Sequence, residues 1–324
     1  MDDAIKGFIS NFSVRRALGG VGIDEFDDGA SLKIGEWELV ATMDGHTVSP
    51  LFFPGGDIGR LAICGSVNDL AMMGAKPIAV LDSIIVEEGF SFSDLDKITR
   101  SMGAAAEEAG IAVIGGDFKV MPKNAIDKIT IATCGLGLAE KGKVILDSGT
   151  RPGDKVIATG SIGEHGIALL SAREQFNLDT DIKSDVRPLW ATVEAALAVG
   201  GITSMKDPTR GGLASALNDI AAKSKVSIWL DHSRLPIKKA VSAASEMLGL
   251  NPLEITCEGV AVMCVSEDRA EETLEAVRNT PYGLEASLIG EVRGDRPGYV
   301  LLKTEVGGTR IVDKPMGEPI PRVC

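Results

Sequence analysis

Six short stretches carry aspartate at glycine-rich strand ends or turns: "DEFDDGA", "TMDGHT", "PGGDIG", "SVNDLAMMGA", "IGGDFK" and "KDPTRGG". They hold Asp27 and Asp28, Asp44, Asp57, Asn68 with Asp69, Asp117, and Asp207. Converging carboxylates repel one another and raise each other's pKa, so a chain gathers several at one place mainly when a hard cation neutralises them. Magnesium carrying a nucleotide is the obvious candidate. Each aspartate taken singly has an ordinary alternative, capping a helix or closing a turn. Taken together, the pattern points to a metal-phosphate site. No GxxxxGK[ST] stretch is present, so the P-loop route to phosphate is absent. "DPTRGGL" offers another: Arg210 and Gly211 open an amphipathic helix through Leu213, Leu217 and Ile220, and amides at a helix start beside a guanidinium can cradle phosphate. His46, in "DGHTV", is open to a phosphate contact or a packing role.

The second chemical feature is the last residue, Cys324, in "PIPRVC". An exposed free thiol is a liability that most soluble proteins avoid. The other four cysteines, Cys64, Cys134, Cys257 and Cys264, sit in apolar surroundings with no CxxC or Cys/His clustering, which excludes a disulfide framework and a structural zinc. From Asp313 onward the periodic pattern stops, and Pro315, Pro319 and Pro321 make the end of the chain extended and semi-rigid. Such a tail reaches roughly 35–40 Å. As a nucleophile Cys324 starts at a disadvantage: a thiol titrates near ~8.5, and a terminal carboxylate about 5 Å away raises that by roughly half a unit. Arg322 can offset it.

These residues need a scaffold. Apolar, β-rich runs recur at 37–43, 78–86, 111–114 and 129–136, and "SFSDLDKITRSMGAAAEEAG" puts Leu95, Ile98, Met102, Ala105 and Ala109 on one helical face, with Ser93 as N-cap and Gly110 past the end. A second helix spans "LAICGSVNDLAMMG". The turn-rich "LDSGTRPGD" marks a hinge near 150, after which strands "KVIATG", "VSIWL", "GVAVMCV" and "YVLLK" alternate with a glycine loop and helix in "GSIGEHGIALLSAREQF", the helix of "DPTRGGLASALNDIAAKS", and one around 268–278. The organisation expected is a nucleotide-binding domain over 1–149, a second α/β domain over 150–312, and a mobile tail over 313–324. With 324 residues, 44% of them hydrophobic, two cores are feasible. The formal charge of -13 and the lack of any basic run argue against nucleic acid or anionic membranes as partners. No apolar stretch approaches the roughly 18 residues of a membrane span. The chain reads as soluble and cytoplasmic.

At this point the residues reach a resemblance. "DDGA", "MDGHTVSPLFFPGGDIGRLAICGSVNDLAMMGAKPIAV", "IIVEEGF", "GGDFKV", "DPTRGGLASALNDIA", "EMLGLNPLEITCEGVAV" and the closing "PRVC" resemble the hydrogenase-maturation carbamoyl dehydratases (HypE) over nearly the whole chain. "DDGA" and "DPTRGG" alone indicate only the superfamily, which also holds aminoimidazole ribonucleotide synthetase, selenophosphate synthetase and thiamine-phosphate kinase.

The resemblance implies an α+β fold of two α/β domains of the aminoimidazole ribonucleotide synthetase type, the N-terminal sheets pairing in a homodimer and ATP lying between domains. It implies ATP and Mg²⁺ as cofactors, with metal on Asp27, Asp44, Asp69, Asp117 and Asp207, and nucleotide also near Asp28, Asn68, Arg210 and Gly211. It implies a carbamoyl group on Cys324, dehydrated to a thiocyanate, with Glu258 as base and Lys119 steadying charge on the carboxamide oxygen. A carbamoyltransferase of the HypF type and an iron-centre scaffold of the HypC–HypD type are the implied partners, the cyano group being a ligand for the Fe(CN)₂CO centre of [NiFe] hydrogenase. Two positions depart from the family pattern: Phe118 where threonine is usual, and Cys257, a possible second thiol of the site, where asparagine is usual. Two alternatives stay open, a superfamily member phosphorylating a free small molecule and a non-catalytic carbamoyl carrier.

Overall fold

A computed structural model describes residues 7–173 and 181–315. In the N-terminal half, strands β1 (Ala30–Ile34) and β2 (Trp37–His46) are followed by a small hairpin of β3 (Phe52–Phe53) and β4 (Gly56–Asp57). Helix α1 (Ile58–Met72), strand β5 (Lys76–Glu87), helix α2 (Phe92–Ala109) and strands β6 (Ala112–Met121) and β7 (Ile129–Glu140) complete it. The main sheet runs β1-β2-β7-β5-β6, antiparallel except for β5 and β6, which α2 connects as a crossover. Strand β7 alternates buried and half-buried residues along its length, the period-two pattern of a sheet with one covered face. The cover is α1 and α2, through Leu61, Ile63, Val67, Ile98, Met102 and Ala105. Helix α2 follows the spacing expected of it, and Gly110 closes it in the left-handed conformation (φ 69°). Its N-cap is Ser91, not Ser93: the helix begins at Phe92, so Ser93 falls inside the first turn while Ser91 Oγ accepts from Asp94 N at 3.3 Å.

The C-terminal half holds β8 (Lys155–Ala158), α3 (Glu164–Ser171), α4 (Trp190–Val199), β9 (Ile202–Lys206), α5 (Gly212–Ser224) and β10 (Ser227–Asp231). After these come α6 (Lys239–Leu248), β11 (Val262–Val265), α7 (Ala270–Arg278), β12 (Ser287–Arg293), β13 (Val300–Lys303) and β14 (Thr309–Ile311). The sheet order is β14-β13-β10-β12-β8-β11-β9. Alternate residues of β8 and β11 enter two cores: Val156, Val262 and Cys264 pack on α5 through Leu213, Leu217 and Ile220, whereas Ile157, Met263 and Val265 pack on α4 and α7. The second core also takes Ala71 and Met72 from α1, so apolar packing joins the halves beside the acidic residues. Helix α4, which sequence spacing does not single out, is apolar on nearly every side but buries only Thr192, Val193 and Ala196.

Candidate active site between the two halves

Strand β2 delivers Asp44, helix α1 delivers Asp69, the turn after β9 delivers Asp207, and the loop before β1 delivers Asp28. Asp69 is half-buried and accepts from Thr42 Oγ1 at 2.6 Å. Burial first, and then the charges of Asp207, Asp28 and Asp44, hold its carboxyl well above the usual carboxylate range. Asp207 is pushed up to about 7 by burial and by Asp28. These carboxylates therefore crowd closely enough to oppose one another's ionisation, the condition that a hard cation relieves. Among the described residues no three acidic, histidine or cysteine groups are already drawn into a metal cage.

Part of the charge is met by lysines that sequence reasoning missed. Lys206 Nζ lies 2.6 Å from Asp28 and 3.4 Å from Asp147, and Lys223 Nζ lies 3.2 Å from Asp27 and 2.9 Å from Asp147. Burial alone would lower the Lys206 pKa, but Asp28 and Asp147 raise it above its ordinary value. Asp27 and Asp28 are thus tied to lysines of the C-terminal half. The signal was present: Lys206 directly precedes Asp207, and Asp147 lies in the turn-rich linker.

The structure also sorts the other candidates. Asp57 is the N-cap of α1, accepting from Gly59 N at 2.7 Å and Arg60 N at 3.0 Å. His46 is buried, with Nε2 3.1 Å from Thr133 Oγ1, and burial lowers its pKa, so it packs. Asn68 uses its amide as a tie: Nδ2 donates to the carbonyls of Arg187 (3.1 Å) and Glu258 (3.0 Å), and Oδ1 accepts from Leu189 N (2.8 Å). Cys257 is fully buried, Sγ accepting from Gly163 N at 3.1 Å, and burial drives its pKa well above that of a free thiol. That makes it a packed core thiol and no second thiol of the site. Asp117 and Lys119 lie on β6, which is solvent-exposed from Ala112 to Val120, and Asp117 is not among the charges that raise Asp69 or Asp207.

Glu258 is 9% exposed on the turn before β11 and is brought to the acids by two bonds. One is Asn68 Nδ2 to its carbonyl, from the residue next to Asp69; the other is Cys257 N to Pro208 O at 3.0 Å, from the residue next to Asp207. The same turn places Arg210 and Gly211 at the start of α5, which has no side-chain cap, and Gly211 adopts φ 79°, a conformation that favours glycine. The described end of the chain runs to this point. Asn218 Nδ2 donates to Val312 O at 2.9 Å, Lys314 pairs with Asp219 at 2.9 Å, and a methyl added at Gly211 would sit 3.5 Å from Pro315 Cγ. Cys324 lies outside the described residues.

The chain matches the AIR synthase related proteins in both halves: the family's N-terminal domain matches residues 26–139 and its C-terminal domain residues 151–303. The carbamoyl dehydratase HypE of Rhizobium leguminosarum bv. viciae is 46% identical over 92% of this chain and 86% of its own length. A HypE–HypF complex contains a chain with a TM-score of 0.89 and 42% identity, covering 96% of this chain and 98% of that one. HypE in complex with ATP gives a TM-score of 0.85 at 39% identity, covering 92% and 90%. The chain belongs to the AIR synthase related family and, within it, to the HypE carbamoyl dehydratases of hydrogenase maturation.

Proposed function

We propose that the protein dehydrates a carbamoyl group carried on Cys324 to a thiocyanate at the expense of ATP. The observation that carries this reading is the course of Val312–Pro315 along α5, against the helix direction, to the helix start where Asp207, Arg210 and the Glu258 turn converge. Nine residues remain beyond Pro315, enough to span roughly 30 Å. The thiol can therefore be loaded outside and return to the cleft of its own subunit.

The chemistry follows from the leaving group. An amide oxygen leaves poorly, so the carboxamide oxygen attacks the γ-phosphorus of ATP, ADP departs, and an O-phosphoryl imidate remains. Loss of phosphate and of the nitrogen-bound proton then gives S–C≡N. Glu258, held in a nearly dry turn, takes the protons. Asp44, Asp69 and Asp207 suit Mg²⁺, since they are oxygen donors whose mutual repulsion a divalent ion would remove. Arg210 and Gly211 meet the phosphates, and Asp28, paired with Lys206, would face them only across the bound ion. Asp117 and Lys119 act from β6, Lys119 as a point cation for charge developing on oxygen.

A homodimer is part of the reading. Met43, Cys134 and Leu81 align in register across β2, β7 and β5 on the face away from the helices, Met43 being 77% exposed, whereas Phe118 and Val120 on the edge strand β6 are in register with Ile84 and Val86 on the helix side. A second copy covering this apolar face accounts for it; sedimentation as a monomer would remove this part. HypF-type loading and delivery to a HypC–HypD-type scaffold complete the scheme, which belongs in a reducing cytoplasm where Cys324 stays a thiol.

Intact-protein mass spectrometry decides. Carbamoylated chain given Mg-ATP is expected to lose the mass of one water from its C-terminal peptide, and Cys324→Ser to accept no carbamoyl group. Carbamoylation without water loss would leave only a carrier, and substrate-dependent ATP turnover surviving Cys324→Ser would indicate a free small-molecule substrate.

A further inference from the structure

The dipeptide Glu258–Gly259 has each backbone group shown to be held by a side chain of another segment. Asp185 Oδ1 accepts from Glu258 N at 3.1 Å and Asp185 Oδ2 from Gly259 N at 3.3 Å. The Glu258 carbonyl accepts from Asn68 Nδ2 at 3.0 Å, and the Gly259 carbonyl from Arg187 Nε at 2.9 Å. Gly259 admits no side chain, because a Cβ there would stand 1.8 Å from Asp185 O. The gripping segment is itself fixed to α1: Arg60 Nε donates to Val186 O at 2.8 Å, and Asn68 ties both Arg187 O and Leu189 N.

A turn needing only to be stable would not require a buried carboxylate, which burial pushes up to about 6. An asparagine offers one acceptor, a hydrophobe none. Only a carboxylate offers two acceptors in one plane to two successive N–H groups. From this geometry we propose that Asp185 is a positioning residue for the dehydration, fixing the Glu258 main chain so that its carboxylate meets the nitrogen-bound proton. This rests on the reading of Glu258 as the base. Asn68 is the matching hold on the other side of the same peptide.

The test uses the full-length carbamoylated chain with Mg-ATP and follows water loss by mass spectrometry in a single turnover. Asp185→Asn keeps one acceptor and turns an amide NH₂ toward the second N–H. It is expected to fold, to bind ATP within about twofold of the parent, and to slow water loss about 100-fold, since displacement of a reacting group by ~1 Å has that effect. Added to Glu258→Gln, it should produce no further loss, because the residue it positions is already disabled. A merely structural role predicts the same fractional loss in both backgrounds. Parental rates for Asp185→Asn with Glu258→Gln inactive would overturn the positioning role alone. A parental rate for Glu258→Gln would overturn the base itself. If Asp185→Asn does not fold, Asn68→Ser reads the same quantity, a rate loss that vanishes in Glu258→Gln, and an equal loss in both backgrounds then overturns the proposal.

Discussion

The two walls of the cleft solve opposite problems. On the acid wall, Asp69 and Asp207 have burial and the charges of Asp28 and Asp44 against their ionisation, and Lys206 pairs with Asp28 and Asp147. On the Glu258 wall the backbone is held by Asp185, Asn68 and Arg187. The first wall is unfinished without a cation, and the second is finished before any ligand arrives. A cluster that must release metal-nucleotide each cycle gains from incompleteness, whereas a base that must reach one proton gains from fixed geometry.

Substitutions separate the walls. Asp69→Asn removes from the acid wall a ligand of the proposed metal site but also a repelling charge. Magnesium-dependent ATP affinity is expected to fall about 10- to 100-fold, while the metal-free protein becomes more stable; calorimetric titration and thermal unfolding read the two effects. Tighter magnesium binding in this variant would show that Asp69 is no ligand.

Lys223→Met gives a smaller effect on stability. Its ammonium serves Asp27, Asp147 and the Phe26 carbonyl, and both carboxylates are almost wholly buried while the lysine is partly exposed. Discounted for that exposure, the loss is expected to be about 1–3 kcal/mol in urea unfolding. An unchanged midpoint would mean that the acid wall does not need its lysine tie to the linker.

How far sequence reading reached depended on whether a signal was local. Strand β7 and helix α2 were legible because period-two and period-3.6 burial is written in consecutive residues, and Asp207 with Gly211 was legible because a glycine-opened helix start is a local signature. The functions of Asp185 and Asn68 were not legible, since each acts through hydrogen bonds to main chain 73 and 190 positions away. Nothing in "SDVRPL" marks its aspartate as the hold on a distant glutamate. Lys206 and Lys223 drew no reading from the sequence, and the fold puts them against Asp28 and Asp147. Phe118 remains without a partner that would explain it in the single chain, half exposed on β6.

The smallest expected effect is the dependence of metal-free stability on pH, and it tests the acid wall alone. Asp207 has its pKa raised from an ordinary 3.8 to about 7, so the folded state keeps a proton that the unfolded chain has lost. Stability from this group is full below ~4 and declines as pH rises through about 7. Asp147 and Asp185, each raised to about 6, act in the same direction but finish earlier. His165, lowered by burial to about 3, acts oppositely, yet only below its ordinary 6.5, where the unfolded chain becomes protonated. Above that value the histidine is neutral in both states. Between about pH 6.5 and 8 the remaining fall in stability thus belongs to the acid wall, through Asp207 and through Asp69, which burial and its acidic neighbours also raise well above the usual carboxylate range. Asp207→Asn should flatten the curve there, measured by urea unfolding in EDTA, and a slope equal to the parent's would place the charge crowding elsewhere.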